Sequence, residues 1–189
     1  MLLFGALIYG GYLYTPLISA VYNYKFSNNS TNNPEIIASE QISDEYIIQI
    51  PKILAYSKVI ENVSPFDKAE YDRVLVNNVV AQSRGSAKPG SGKGNSTYIF
   101  AHSTNNSLGM VRSNAVFYLL GELQENDMIY VNYHGNEIKY RVYEKNIVSA
   151  KELKYLEYSD ESRDVLILQT CWPIGTDWNR LLILAELVE

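Results

Sequence analysis

From Tyr46 onward, short apolar runs alternate with turn-forming residues: YIIQIPKI, RVLVNNVVA, STYIFAH, DMIYVNYHGNEIKYRVYEKNIV, DVLILQT and RLLILAELVE. Runs of this length, rich in β-branched and aromatic residues and bounded by Gly, Pro, Asn and Asp, predict the strands of an all-β sandwich or barrel. The clearest hairpin is IYVNYHGNEIKYRVY, where His134, Gly135 and Asn136 supply the positive-φ turn between two alternating strands. Two short helices are predicted, over 66–75 and over 113–123. In the second, Ala115, Val116, Leu119, Leu120 and Leu123 keep helical spacing.

The first part of the chain has a different pattern. Met1 to Tyr24 carries no charge, and about 20 mainly apolar residues suffice to cross a bilayer core as a helix, so 1–24 reads as a transmembrane anchor. Tyr9, Tyr12, Tyr14, Tyr22 and Tyr24 provide interfacial side chains. Residues 25–45, with the run SNNSTNNPEIIASEQISDE, are too polar to bury a core and read as a flexible tether. The pattern therefore predicts a membrane-tethered β domain over 46–189.

Composition narrows the chemistry. With 47% hydrophobic residues in 189, the chain is long enough for one domain with a real core plus an appendage. A net charge of −5 with no Lys/Arg block excludes a partner whose phosphates need a basic face, so no nucleic acid is expected. The GSGKGNS stretch at 90–96 lacks the phosphate-loop pattern: Ala87 and Gly94 stand where that motif needs Gly and Ser or Thr, and a strand, not a helix, follows. One Cys and two His, separated by 32 and 37 residues, match no zinc spacing, so neither metal nor cofactor is expected. The acidic residues read as solvated surface.

Cys171 stands apart. The strand DVLILQT runs into it, and Trp172-Pro173 ends the strand because Pro has no N–H for a sheet ladder. The next strand begins at Arg180, nine residues on. If the two strands pair as antiparallel neighbours, Cys171 and Arg180 share one sheet edge. An always-charged guanidinium there favours a thiolate or stabilises an oxyanion. Thiol chemistry also needs an acid/base partner. Of the two histidines, His102 closes the strand STYIFAH, whereas His134 sits in a hairpin turn where solvent explains it.

These residues resemble the sortases, membrane-anchored cysteine transpeptidases of bacterial surfaces. The resemblance rests on Cys171 after LILQT, Arg180 nine residues later, His102 69 residues upstream, PG then GN before the His strand, and IPK opening the domain, and it spans roughly 47–187. The family's usual Thr-Leu-x-Thr-Cys stands here as Ile167-Leu168-Gln169-Thr170-Cys171, and its usual Gly before the His is Ala101. The resemblance implies a closed eight-stranded barrel with one or two short helices, in which the strands before His102 and Cys171 end on one rim. It implies Cys171 as nucleophile, His102 as acid and base, and Arg180 as oxyanion or substrate holder, with Thr170 and Ser103 as substrate-binding residues. The expected partners are proteins bearing an LPxTG-like sorting signal and a cell-surface amine acceptor, on peptidoglycan or another surface protein, with the loop over 149–163 reading the signal. The site would face the extracytoplasmic side of the cell membrane. The CWPIGT segment, with no long N-terminal lid and no C-terminal span, is closest to class D- and E-like members. Two other readings stay open on the residues alone: a cysteine hydrolase that releases product to water, and a catalytically silent surface-binding barrel.

Overall fold

A computed structural model describes residues 44–75, 79–103 and 116–188 of the chain. The expected anchor over 1–24 and nearly all of the tether over 25–45 lie outside them. Among the described residues, no helix is long and apolar enough to cross a membrane.

Eight strands close into a barrel: β1 (Ile47–Ile50), β2 (Ala55–Val63), β3 (Val80–Ser83), β4 (Ser96–Phe100), β5 (Met128–Tyr133), β6 (Asn136–Ser149), β7 (Val165–Trp172) and β8 (Asn179–Val188). Around the barrel they run β1-β2-β3-β4-β7-β8-β6-β5. Closure removes the free edges that would otherwise template aggregation. Two neighbouring pairs are parallel, β2 with β3 and β4 with β7; the other pairs are antiparallel. The β5–β6 hairpin turns through His134 (φ 47°) and Gly135 (φ 83°), the left-handed pair its sequence predicts.

Two predicted elements need correction, and one strand is new. RVLVNNVVA is not one strand: its start ends α1 (Lys68–Val74), the one α-helix among the described residues, and its end opens β3. Helix α1 satisfies the prediction over 66–75, with Asp67 accepting a hydrogen bond from the Glu70 N–H at 3.0 Å as N-cap. The helix predicted over 113–123 is absent from its described part: 116–119 form turns and only Leu120–Glu122 makes a short 3-10 helix. There Phe117, Leu120 and Leu123 join the barrel core, and the Lys145 ammonium takes the exposed carbonyls of Gly121 (2.9 Å) and Leu123 (2.8 Å), so tertiary packing replaces helical ladder bonds. Strand β2 is an addition to the predicted runs.

Two apolar layers use opposite faces of the same strands. Ile48, Ile50, Ile99, Ile129, Val131, Leu166, Leu168, Leu181 and Ile183 fill the barrel. Tyr98, Phe100, Val165, Ile167, Leu182 and Leu184 point outward and are covered by Leu75 after α1 and by Tyr155, Leu156 and Tyr158 of the β6–β7 connection. The outward stripe of a sheet normally meets water, so a second cover of this kind marks a face that is roofed.

At the end of the barrel away from Cys171, a buried polar knot fixes the glycine-rich loop. Asp164 is 4% exposed; its Oδ1 accepts from the Tyr140 hydroxyl (3.1 Å) and its Oδ2 from the Gly92 N–H (2.5 Å). Gly92 has φ 92°, a conformation that favours glycine. The Gly90 N–H donates to Tyr140 Oη (2.9 Å), and the Gly94 N–H reaches the carbonyls of Asp160 and Arg163 (both 3.0 Å). The amides that a phosphate loop would aim at a ligand are thus spent inside the fold.

Candidate active site

The parallel pairing of β4 with β7 builds the site. Parallel neighbours finish at the same end, so whatever follows β4 lies beside whatever closes β7. The register pairs Tyr98 with Ile167 and Phe100 with Gln169, and the Ala101 N–H continues the ladder to the Gln169 carbonyl at 3.1 Å. Two residues beyond Phe100 is His102, and two beyond Gln169 is Cys171, so continuing the register sets the imidazole beside the thiol. On the other flank, β7 and β8 pair Cys171 directly with Arg180. His102, Cys171 and Arg180 therefore form a row across three adjacent strands, which in sheets lie about 4.8 Å apart.

Strand alternation decides which way they point. Tyr98 and Phe100, Ile167, and Leu182 and Leu184 belong to the outer layer. His102, Cys171 and Arg180 share their phase, and all three line one groove with Gln169, Phe66 and Leu153. Thr170 and Ser103 have the opposite phase. Thr170 is 2% exposed and its hydroxyl donates to the Ala101 carbonyl at 3.1 Å, tying β7 to β4. Ser103 is fully buried, and its hydroxyl has no partner among the described residues. The expectation that these two touch substrate does not fit that geometry, because both face the barrel's interior.

The electrostatics are those of a roofed site. Burial pushes the Cys171 thiol above its ordinary range, the Arg180 guanidinium pulls it back, and Asp177 adds to the rise. Burial lowers the His102 imidazole; Asp72 and Lys68 then act in opposite senses, the carboxylate raising it and the ammonium lowering it. Arg180 Nη1 is held by the carbonyls of Asp177 (3.0 Å) and Asn179 (3.1 Å), and its other N–H groups make no hydrogen bond among the described residues. A thiol, an imidazole and a partly free guanidinium on one rim are the parts of nucleophilic acyl transfer. No group of three or more His, Cys, Asp or Glu that could hold a metal occurs among the described residues.

The sequence reading missed Asp72. Its Oδ1 stands 3.4 Å from His102 Nε2, and its Oδ2 meets the Lys68 ammonium. It comes from α1, which crosses the outer face between the parallel strands β2 and β3. The i,i+4 pair Lys68 and Asp72 was a visible helical signal, but nothing in the sequence says what that helix covers. His134, by contrast, lies at the opposite end of the barrel, with Nδ1 3.0 Å from the Asp44 carbonyl oxygen.

The profile of the sortase domain matches residues 48–188. This chain belongs to the sortase family. Solved sortases share the architecture. Sortase A from Corynebacterium diphtheriae is 26% identical with a TM-score of 0.62, over 85% of this chain and 71% of that one. Sortase C-1 from Actinomyces oris is 24% identical (TM-score 0.63; 94% and 99% covered). Clostridium perfringens sortase C, solved with the C-terminal cell wall sorting motif, is 22% identical (TM-score 0.64; 94% and 88%). No curated protein sequence matches the chain. The closed eight-stranded barrel is thus the sortase fold.

Proposed function

We propose that this sortase is a cysteine transpeptidase that cleaves an LPxTG-like sorting signal and transfers the acyl fragment to a cell-surface amine. The observation that carries the reading is the row His102, Cys171 and Arg180 on the groove-facing side of one rim. The Cys171 thiolate attacks the carbonyl carbon of the signal's Thr; the C–N bond breaks, the His102 imidazolium gives its proton to the departing Gly amine, and a thioester remains. The incoming amine then loses a proton to His102 as it displaces the thiolate. Arg180 donates its free N–H groups to the oxyanion or the substrate backbone, a contact worth about 3 kcal/mol in such transition states.

The surroundings suit a peptide. Phe66 (70% exposed) and Leu153 (53%) give the groove an apolar lip for an apolar side chain of the signal, and the β6–β7 connection forms one wall. That a related sortase C has been solved with a sorting motif supports the substrate class. The CWPIGT run supports a class D- or E-like member.

The anchor over 1–24 and the tether over 25–45 place the domain outside the cytoplasmic membrane, beside the emerging substrates, and raise their effective concentration. β1 begins and β8 ends at the rim opposite Cys171, so the chain enters and leaves the barrel at the end away from the groove. In peptidoglycan or another surface protein, the acceptor amine must compete with water for the thioester. The test is a labelled LPxTG-type peptide incubated with and without an amine donor. Conjugate that needs both the donor and Cys171 supports transpeptidation; product released only to water makes the protein a hydrolase, and no turnover with an ordinary thiol makes it a silent barrel.

A further inference from the structure

His102 meets α1 along one edge of its ring. Asp72 Oδ1 is 3.4 Å from His102 Nε2, close enough for an ion pair but not aligned as a hydrogen bond. Both atoms are buried, and neither has any other hydrogen-bond partner among the described residues. The carboxylate is not free to turn away, because Oδ2 is engaged by the Lys68 ammonium. The ring is not free either: Tyr71 lies against it with centroids 5.6 Å apart and is itself edge-on to Phe100 at 6.2 Å. One seven-residue helix thus clamps the imidazole with an aromatic face and a carboxylate edge.

Only one tautomer fits this clamp. A proton on Nε2 gives the two orphaned atoms each other as donor and acceptor. A proton on Nδ1 instead sets the Nε2 lone pair against the Oδ1 lone pairs, with no solvent to separate them. We propose that Asp72 is a positioning residue for His102: it holds the Nε2–H tautomer and leaves Nδ1 as the nitrogen that exchanges protons in the groove. The catalytic consequence rests on the transpeptidase reading; the tautomer does not. In the acylation step, Nδ1–H of the imidazolium passes to the leaving amine, and the ring ends neutral with its proton still on Nε2. In the second step, Nδ1 takes the proton of the incoming amine. The Asp72 charge also steadies the imidazolium against burial and against Lys68, the cation on the same helix. The other ionisable groups lining the groove are Tyr98 on β4, Glu152 on the β6–β7 connection, Cys171 on β7 and Arg180 on β8, besides Tyr71 of the clamp itself. An acid/base pair loose at rest and tighter once the ring is charged is what such a role requires.

Long-range ¹H–¹⁵N spectra of histidine-labelled protein test this directly, since His102 and His134 are the only two histidines and His134→Gln assigns the pair. The expected wild-type spectrum shows His102 as the Nε2–H tautomer. In Asp72→Leu, the tautomers mix and the imidazole titrates at lower pH. In Asp72→Asn, which keeps an acceptor but no charge, the tautomer persists while the titration still moves down. The ratio kcat/KM falls about tenfold or more in Asp72→Leu, mainly in kcat, with its acid limb displaced to lower pH, and Asp72→Glu recovers part of it. An Nδ1–H tautomer in the wild type, or a His102 tautomer and titration unchanged by either substitution, overturns the inference. If Asp72→Leu does not fold, the titration in Asp72→Asn decides alone: a fall supports the inference and no change overturns it. If the peptide is not turned over by the wild type, the spectra still judge Asp72, so the two readings fail separately.

Discussion

The two faces of β4, β7 and β8 carry opposite duties. Inward stand Ile99, Leu166, Leu168, Thr170, Leu181 and Ile183, in the barrel interior. Outward, one residue out of step, stand Phe100, Gln169 and Leu182, then His102, Cys171 and Arg180 at the rim. A one-residue shift of register would exchange the two sets, so packing and chemistry are specified by the same alternation. Because apolar packing on both faces lies below the rim, the rim itself is free to hold groups that add little to stability.

Substitutions across that divide should separate activity from folding. Outward, Cys171→Ala should abolish peptide turnover while leaving the thermal midpoint within a few degrees of wild type; a large fall in the midpoint would make the thiol a packing element. Arg180→Ala should lower kcat/KM by about 10²- to 10³-fold and move the thiol's titration to higher pH. The sign follows from charge: the guanidinium favours the thiolate, so without it burial acts unopposed by that cation. Iodoacetamide alkylation rate against pH reads this out, and an unmoved or lowered midpoint would break the Cys171–Arg180 pairing.

Inward changes should do the reverse. Leu168→Ala should cost about 2–5 kcal/mol of unfolding free energy, read by denaturant titration, with residual folded protein still active. Gly121→Ala probes the seam between the faces, because a Cβ there would stand 3.0 Å from the Trp172 ring, next to the nucleophile; the expected cost is about 1–3 kcal/mol. Thr170→Val gives the smallest effect, about 1 kcal/mol for its hydrogen bond to Ala101, with kcat/KM changed less than tenfold. A large rise in KM would restore Thr170 as a substrate contact.

Local signals explain which parts of this were legible beforehand. Trp172-Pro173 marks the end of β7, Arg180 falls at the start of β8, and the turn residues His134 and Gly135 set the β5–β6 hairpin. The lone thiol and the strand-end imidazole could be picked out because each sits next to a strand terminator. What stayed hidden depends on contacts across the fold. β4 and β7 are separated by more than sixty residues, so their parallel pairing came only through family resemblance. The inward phase of Thr170 and Ser103 follows from which face that pairing roofs. Asp72 reaches His102 only because α1 bridges β2 and β3 over the outer face. The spacing over 113–123 imitates a helix because residues that plug a barrel end also recur every three or four positions.

Intact-mass analysis of the protein mixed with an LPxTG-type peptide in the absence of amine tests the central claim most directly. The expected product is a thioester adduct of the acyl fragment that maps to Cys171, forms far more slowly in His102→Ala, and disappears on adding amine as conjugate appears. An adduct on another residue, or peptide cleavage that proceeds unchanged in Cys171→Ala, would contradict it.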